Sequence, residues 1–134
     1  MDFLPLFHNL KGRNVLVVGG GEIALRKVRL VQDASAIITI VAKDFCPDLL
    51  EMDARDKEHG CNGLHLITAP YHQDHMQMIS NLALVIAATN DRELNRLVSE
   101  HTQSINVLAN VVDDPGFSNV IFPSIVDRSP IQIA

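Results

Sequence analysis

Asn14-Val15-Leu16-Val17-Val18-Gly19-Gly20-Gly21-Glu22-Ile23-Ala24 is the stretch from which the rest of the chain can be read. Residues 14–18 form an apolar, largely β-branched run, as a strand covered on both faces of a sheet requires. The six residues after it match G-x-G-x-x-A. From there Ala24, Val28 and Val31 recur at i, i+4 and i+7, which predicts a helix over residues 22–32. The motif is weak in isolation and gains meaning from its place between a strand and a helix. Gly19 permits the tight turn, Gly21 lets the backbone approach a pyrophosphate without a Cβ in the way, and Ala24 keeps the helix close to the sheet. Free N–H groups and the positive end of the helix dipole then favour phosphate. The competing reading is a turn that is glycine-rich for packing alone.

Outward from this unit, β-branched runs alternate with helical patterns, the signature of βαβ units around a parallel sheet. Strands are expected at residues 37–41, 64–68, 82–88 and 107–112, with helices at 47–59, 73–79 and 92–102. Pro47 suits a first helical turn, and Thr89-Asn90-Asp91 offers capping groups for the helix that follows. Leu94, Leu97, Val98 and His101 should share that helix's inner face. After the turn-like Asp113-Asp114-Pro115-Gly116, extended segments at 119–125 and 131–134 should form a hairpin, turning at residues 127–130. The expected class is α/β: a Rossmann-like, mostly parallel sheet with helices on both faces and a C-terminal extended hairpin.

The chain has 134 residues, one domain by length, with 47% hydrophobic and 20% charged residues. Its apolar runs fall short of the roughly 18 residues a membrane span needs, so no membrane association is expected. The net charge of −5 argues against a nucleic-acid partner. Cys46 and Cys61 form no metal or disulfide pattern, and a reducing, cytoplasmic home is the simplest reading. The apolar start, Met1 to Phe7, carries Asp2 and Pro5 and lacks a basic leader, unlike a secretory signal. Because the chain stops on apolar Ile131-Gln132-Ile133-Ala134, it reads as the front fragment of a longer protein, with residues 1–134 its dinucleotide-binding domain.

The second half of a dinucleotide fingerprint is an acid at the end of strand two. Here Lys43 and Asp44 follow Val41-Ala42: Asp44 would serve the ribose of NAD, whereas Lys43 would attract the 2′-phosphate of NADP. NAD is the favoured cofactor. Asp113 and Asp114 follow strand five, where ligands of open α/β sheets sit, so a carboxylate there suits general-base work, or else simply builds a turn. Arg26, Lys27 and Arg29 cluster within four positions and read either as an anion site or as a solvated helix face. His72 and His75 lack a third ligand at a recognised spacing, and no metal site is expected.

Five separated stretches then align in order: Met1 to Phe7; Val15 to Gly21 with Arg26-Lys27; Ala87-Ala88-Thr89-Asn90-Asp91 with Asn95; Asn110-Val111-Val112-Asp113; and Phe122 to Pro130. Together they resemble the dehydrogenase/ferrochelatase part of siroheme synthase along the whole chain. The resemblance implies oxidation of precorrin-2 to sirohydrochlorin with NAD, then insertion of ferrous iron as a substrate to give siroheme. It implies that Glu22, Ile23 and Thr89 join Gly19, Gly20, Gly21, Ala24, Lys43 and Asp44 at the cofactor, and that Asp113 is the acid of both reactions. It also implies a tetrapyrrole partner and a homodimer in the complete protein. Ser35 stands where the family usually has glycine, and residues 50–63 look longer than usual. An alternative from another class is a dinucleotide-sensing regulatory module of a transport system. Such a module would show a clean acid at the end of strand two and has no need of an acid at position 113.

Overall fold

The computed structural model describes residues 2–122 and the backbone of residues 126–128 and 131–133. In chain order its elements are β1 (Asn14–Val18), α1 (Glu22–Asp33), β2 (Ile37–Ala42), α2 (Pro47–Glu58), β3 (Leu64–Thr68), α3 (Asp74–Gln77), β4 (Leu82–Ala87), α4 (Arg92–Ser104), β5 (Leu108–Val111), β6 (Val126–Arg128) and β7 (Ile131–Ile133). A sheet of order β3-β2-β1-β4-β5 carries the domain, and every pairing in it is parallel. The expected Rossmann-like class is therefore observed. Chain order reverses direction between β1 and β4, so a crevice opens beyond their carboxyl ends, where ligands of such sheets bind.

The alternation within β1 explains why it lies at the centre. Val15 and Val17 face one core with Ala24, Leu25, Val28 and Val31 of α1 and Leu49 of α2. Leu16 and Val18 face the other, with Met76 of α3 and Val98 of α4. These side chains are almost entirely removed from water. A fully buried aliphatic side chain stabilises by roughly 1.5–3 kcal/mol, which is why a strand with no polar face holds this position.

Two expectations change. Leu97 is exposed, and α4 turns Asn95, Val98, Ser99 and Thr102 inward instead. Its buried polar groups find partners: Thr102 Oγ1 donates to Val98 O at 2.7 Å within the helix, and Ser99 Oγ donates to Phe117 O beyond β5. Polar residues thus occupy a helix face that hydropathy alone gives to leucine.

The chain after β5 also departs from its expected strand. Residues 119–122 form no strand, and residues 123–125 lie outside the described residues. Ser118 to Val120 instead line the free edge of β5. Asn119 N donates to Ala109 O at 2.9 Å, Ala109 N donates to Asn119 Oδ1 at 2.6 Å, and Val111 N donates to Ser118 Oγ at 2.7 Å. Side-chain oxygens stand in for a neighbouring strand and close an edge that would otherwise template pairing. The hairpin is present, but its first arm is β6, which pairs antiparallel with β7. Asp127 and Arg128 lie in that arm rather than in the turn, and residues 129 and 130 fall outside the described residues.

Ser35, in the link from α1 to β2, has φ +63. L-residues pay roughly 1–2 kcal/mol in this left-handed region and glycine does not. Ser35→Gly is therefore expected to stabilise the domain by about 0.5–1 kcal/mol after glycine's own entropy is subtracted. Urea unfolding monitored by circular dichroism reads the change as a raised midpoint at constant slope.

Candidate functional site

At the carboxyl ends of β1, β2 and β4 lies a cavity of about 980 Å³, within the range of cofactor pockets. Its walls are the glycine turn, the start of α1, residues 41–46, residues 69–71 and the loop from Ala88 to Asp91. Of the residues expected at a cofactor, Gly19, Gly20, Gly21, Glu22, Ile23, Lys43, Asp44 and Thr89 line it. Ala24 does not: it is fully buried between α1 and the sheet, which is its expected packing role.

The three glycines have different physical reasons. Gly19 has φ +132, and a Cβ on it would stand 2.2 Å from the carbonyl oxygen of Ala88. A Cβ on Gly20 would stand 2.0 Å from the carbonyl oxygen of Asp44. Both positions are closed by backbone from β4 and from the β2–α2 link. Around Gly21 there is only open space within 4 Å of the same ideal Cβ. Packing alone would therefore explain Gly19 and Gly20 but leaves Gly21 without a neighbour to accommodate.

Gly21 is also the N-cap of α1, and no side chain caps that end. The first helical bond runs from Leu25 N to Gly21 O, so the amides of Glu22, Ile23 and Ala24 precede it. The contrast with α4 is instructive, since the Asp91 carboxylate accepts from Glu93 N and Leu94 N there. A helix end without an internal cap, with bare glycine beside it, is a ready anion site. The donor set thus fits a pyrophosphate.

At the other rim, Lys43 and Asp44 are both exposed just past β2. The Asp44 backbone packs against Gly20, and Cys46 N donates to Gly20 O at 2.7 Å, so this link is tied to the glycine turn. Asp44 is therefore close to the glycine turn despite falling two residues after the strand. Thr89 enters the wall on the opposite side, but its hydroxyl is engaged within the loop. It donates to Asn95 Oδ1 at 2.6 Å, while Asp91 N donates to it at 3.1 Å. Asn95 completes the clasp by donating from Nδ2 to Thr89 O at 3.0 Å. A buried asparagine with these partners holds the loop in one shape.

Sequence reasoning missed Tyr71, which enters the cavity wall after β3. Its hydroxyl lies 2.8 Å from His101 Nδ1 on α4, and burial pushes its pKa up to about 12. Tyr71 stays neutral across the physiological range and serves as a polar-tipped apolar wall. Nothing in its immediate sequence signals this, because the partner histidine is thirty residues away. Asn95 was legible only as part of a resembling stretch. His72 and His75 cap a local turn: His72 N donates to His75 Nδ1 and Asp74 N donates to His72 Nδ1.

Asp113 lies outside the cavity wall, at the exposed end of β5. Asp114 N donates to Val111 O at 3.2 Å, closing a turn in which Asp113 takes φ +55. Glycine would be easiest there, and an aspartate at such a position is a strained choice of about 1 kcal/mol. The neighbouring acids are separated by their partners. Asp114 is largely covered and lies 3.9 Å from Arg92 and 3.7 Å from Arg96. Asp113 has no ion pair among the described residues, and its charge is felt by the half-buried Lys27 of α1. Spacing alone leaves the pair equivalent; the fold commits Asp114 to structure and leaves Asp113 open.

A parallel 3-2-1-4-5 sheet with an uncapped helix end over a glycine turn at its reversal point defines a dinucleotide-binding α/β domain. The chain belongs to the NAD(P)-binding family, whose model matches residues 6–124. Siroheme synthase of Stutzerimonas stutzeri is 46% identical over 134 residues, all of this chain and 27% of that protein. Siroheme synthase of Azotobacter vinelandii is 48% identical over the same share of each. The chain therefore spans about a quarter of the length of the curated relatives it matches. Among solved structures, SirC, precorrin-2 dehydrogenase, superposes with a TM-score of 0.79 at 27% identity, over 98% of this chain and 60% of that one. The resemblance to a region of siroheme synthase is thereby borne out. Among the described residues no helix is long and apolar enough to cross a membrane.

Proposed function

We propose that this chain is the dinucleotide-binding region of a longer siroheme-forming enzyme, which oxidises precorrin-2 to sirohydrochlorin with NAD. The observation that carries the reading is the likeness to SirC, precorrin-2 dehydrogenase, along 98% of the chain. Support comes from the open helix end at Gly21 and from the exposed acid at Asp113.

NAD, when bound, supplies the nicotinamide carbon that accepts a hydride. The amides of Glu22 and Ile23 would hold the pyrophosphate, and Asp44 would take the adenosine ribose. Thr89 and its Asn95 clasp shape the wall between phosphate and substrate. Loss of a hydride from a reduced carbon of precorrin-2 to the nicotinamide would leave a cation, and loss of a proton from that cation completes the conjugated system. Asp113 takes that proton; it is exposed in the turn that follows the carboxyl end of β5. Insertion of ferrous iron expels two pyrrole protons from sirohydrochlorin, and the same carboxylate is proposed as their first acceptor. The complete protein is proposed to be a cytoplasmic homodimer.

Titration of the fragment with NAD and with NADP tests the cofactor assignment. NAD is expected to bind at least tenfold more tightly. Asp44→Ala should weaken NAD, and Lys43→Ala should weaken NADP. Tighter binding of NADP, or an Asp44→Ala variant with unchanged NAD affinity, overturns the assignment. The oxidation is tested by following sirohydrochlorin absorbance when full-length protein receives NAD and precorrin-2; no absorbance gain overturns it.

A further inference from the structure

Arg26, Lys27 and Arg29 form one basic cluster in sequence, and the fold gives them three environments. Arg26 points into solvent, and Arg29 lies 3.7 Å from Asp48 in an exposed pair. Lys27 alone is half-buried, with Nζ 4.8 Å from the centroid of the Phe122 ring. Burial lowers its pKa from the ordinary lysine value, while Asp113 pulls in the other direction. No carboxylate forms an ion pair with it among the described residues. The other cations near the end of β5, Arg92 and Arg96, are drawn to Asp114, and Arg96 also covers Phe117 at 4.7 Å. An ammonium that has given up part of its hydration without gaining an ion pair is stabilised when a desolvated anion arrives. Phe122 fixes its direction and favours its charged form.

We propose that Lys27 is a substrate-binding residue whose ammonium, carried on the Phe122 ring, holds a carboxylate of an acidic macrocycle. The assignment deepens the proposed function and rests on it. Asp113 must work on a ring atom, and it repels the carboxylates that surround such a ring. A cation whose charge is felt by the same carboxylate offsets that repulsion and fixes which edge of the macrocycle meets the acid. Asp113 alone has no means of orienting a polyanion.

The test uses full-length protein with Lys27→Met, which keeps the apolar stem against Phe122, and Lys27→Arg, which restores the charge. Two probes are read: precorrin-2 in steady-state oxidation, and uroporphyrin III, a porphyrin with a carboxylate on every peripheral chain, by fluorescence quenching. Lys27→Met is expected to raise the KM for precorrin-2 and the Kd for uroporphyrin III about tenfold, the scale of one ion pair. The kcat and the NAD affinity should stay within twofold, and Lys27→Arg should recover most of the loss. Unchanged KM and Kd in Lys27→Met overturn the proposal. So does a fall in kcat with a displaced pH profile at constant KM, because Lys27 would then act through Asp113. The two readings fail separately. A wild type that binds uroporphyrin III through Lys27 but never oxidises precorrin-2 refutes only the proposed reaction. A wild type that oxidises precorrin-2 with no dependence on Lys27 refutes only this inference.

Discussion

Asp113→Asn in the full-length protein is expected to lower precorrin-2 oxidation by about 10²–10⁴-fold, the range a lost general base commands. The substitution removes the proposed proton acceptor and little else. Asparagine tolerates φ +55 as well as aspartate does, and Asp113 is exposed without an ion pair among the described residues. Thermal stability should therefore stay level. Asp113→Gly sharpens the point, since glycine relieves the left-handed strain. That variant should be as stable as the wild type or about 1 kcal/mol more so, and equally inactive. A residue whose removal helps the fold and abolishes turnover is held there by chemistry. Sirohydrochlorin absorbance gives the rate, and a melting curve gives the control. Retained activity in Asp113→Asn would remove this carboxylate from the reaction.

The second large effect separates glycines that adjoin one another. Gly19→Ala places a Cβ 2.2 Å from the Ala88 carbonyl oxygen at φ +132. Backbone strain of about 1–3 kcal/mol and overpacking of a similar size together approach the whole stability of a small domain. The variant is expected to be largely unfolded, read as lost helical circular dichroism. Gly21→Ala meets nothing within 4 Å and has an ordinary φ. It should melt within a degree or two of the wild type, yet bind NAD about 10–100-fold more weakly, because the methyl group occupies the approach of the pyrophosphate. Isothermal titration of the 134-residue chain measures it. Wild-type affinity in Gly21→Ala would mean that the α1 amides are not the phosphate site.

Much of this domain could be read without coordinates because its strands are periodic and short-range. The bounds of β1 and β3 emerged as expected, and α1, β2 and α2 moved by a residue or so at their ends, where helix and strand termini fray. Misreadings came where long-range partners outweigh hydropathy. Leu97 was given to the core, but the inner face of α4 is set by Asn95 and Ser99, whose polar atoms meet Thr89 and Phe117. The segment after β5 has strand composition, yet its Ser118 and Asn119 oxygens find better use on the β5 edge. Tyr71 was invisible, since only folding brings His101 to it.

Sequence alone determined the class of fold and the place of the glycine turn between β1 and α1. Both follow from spacing along the chain: period two or 3.6 for burial, and a glycine at each backbone position that a Cβ would obstruct. Tertiary structure decided what spacing leaves degenerate. It assigned Asp114 to Arg92 and Arg96 and left Asp113 open, singled out Lys27 from its basic neighbours, and distinguished Gly21 from the glycines that only packing requires. The physical reason is common to all three. Charge and space are properties of what lies across a contact, and those neighbours are distant in sequence.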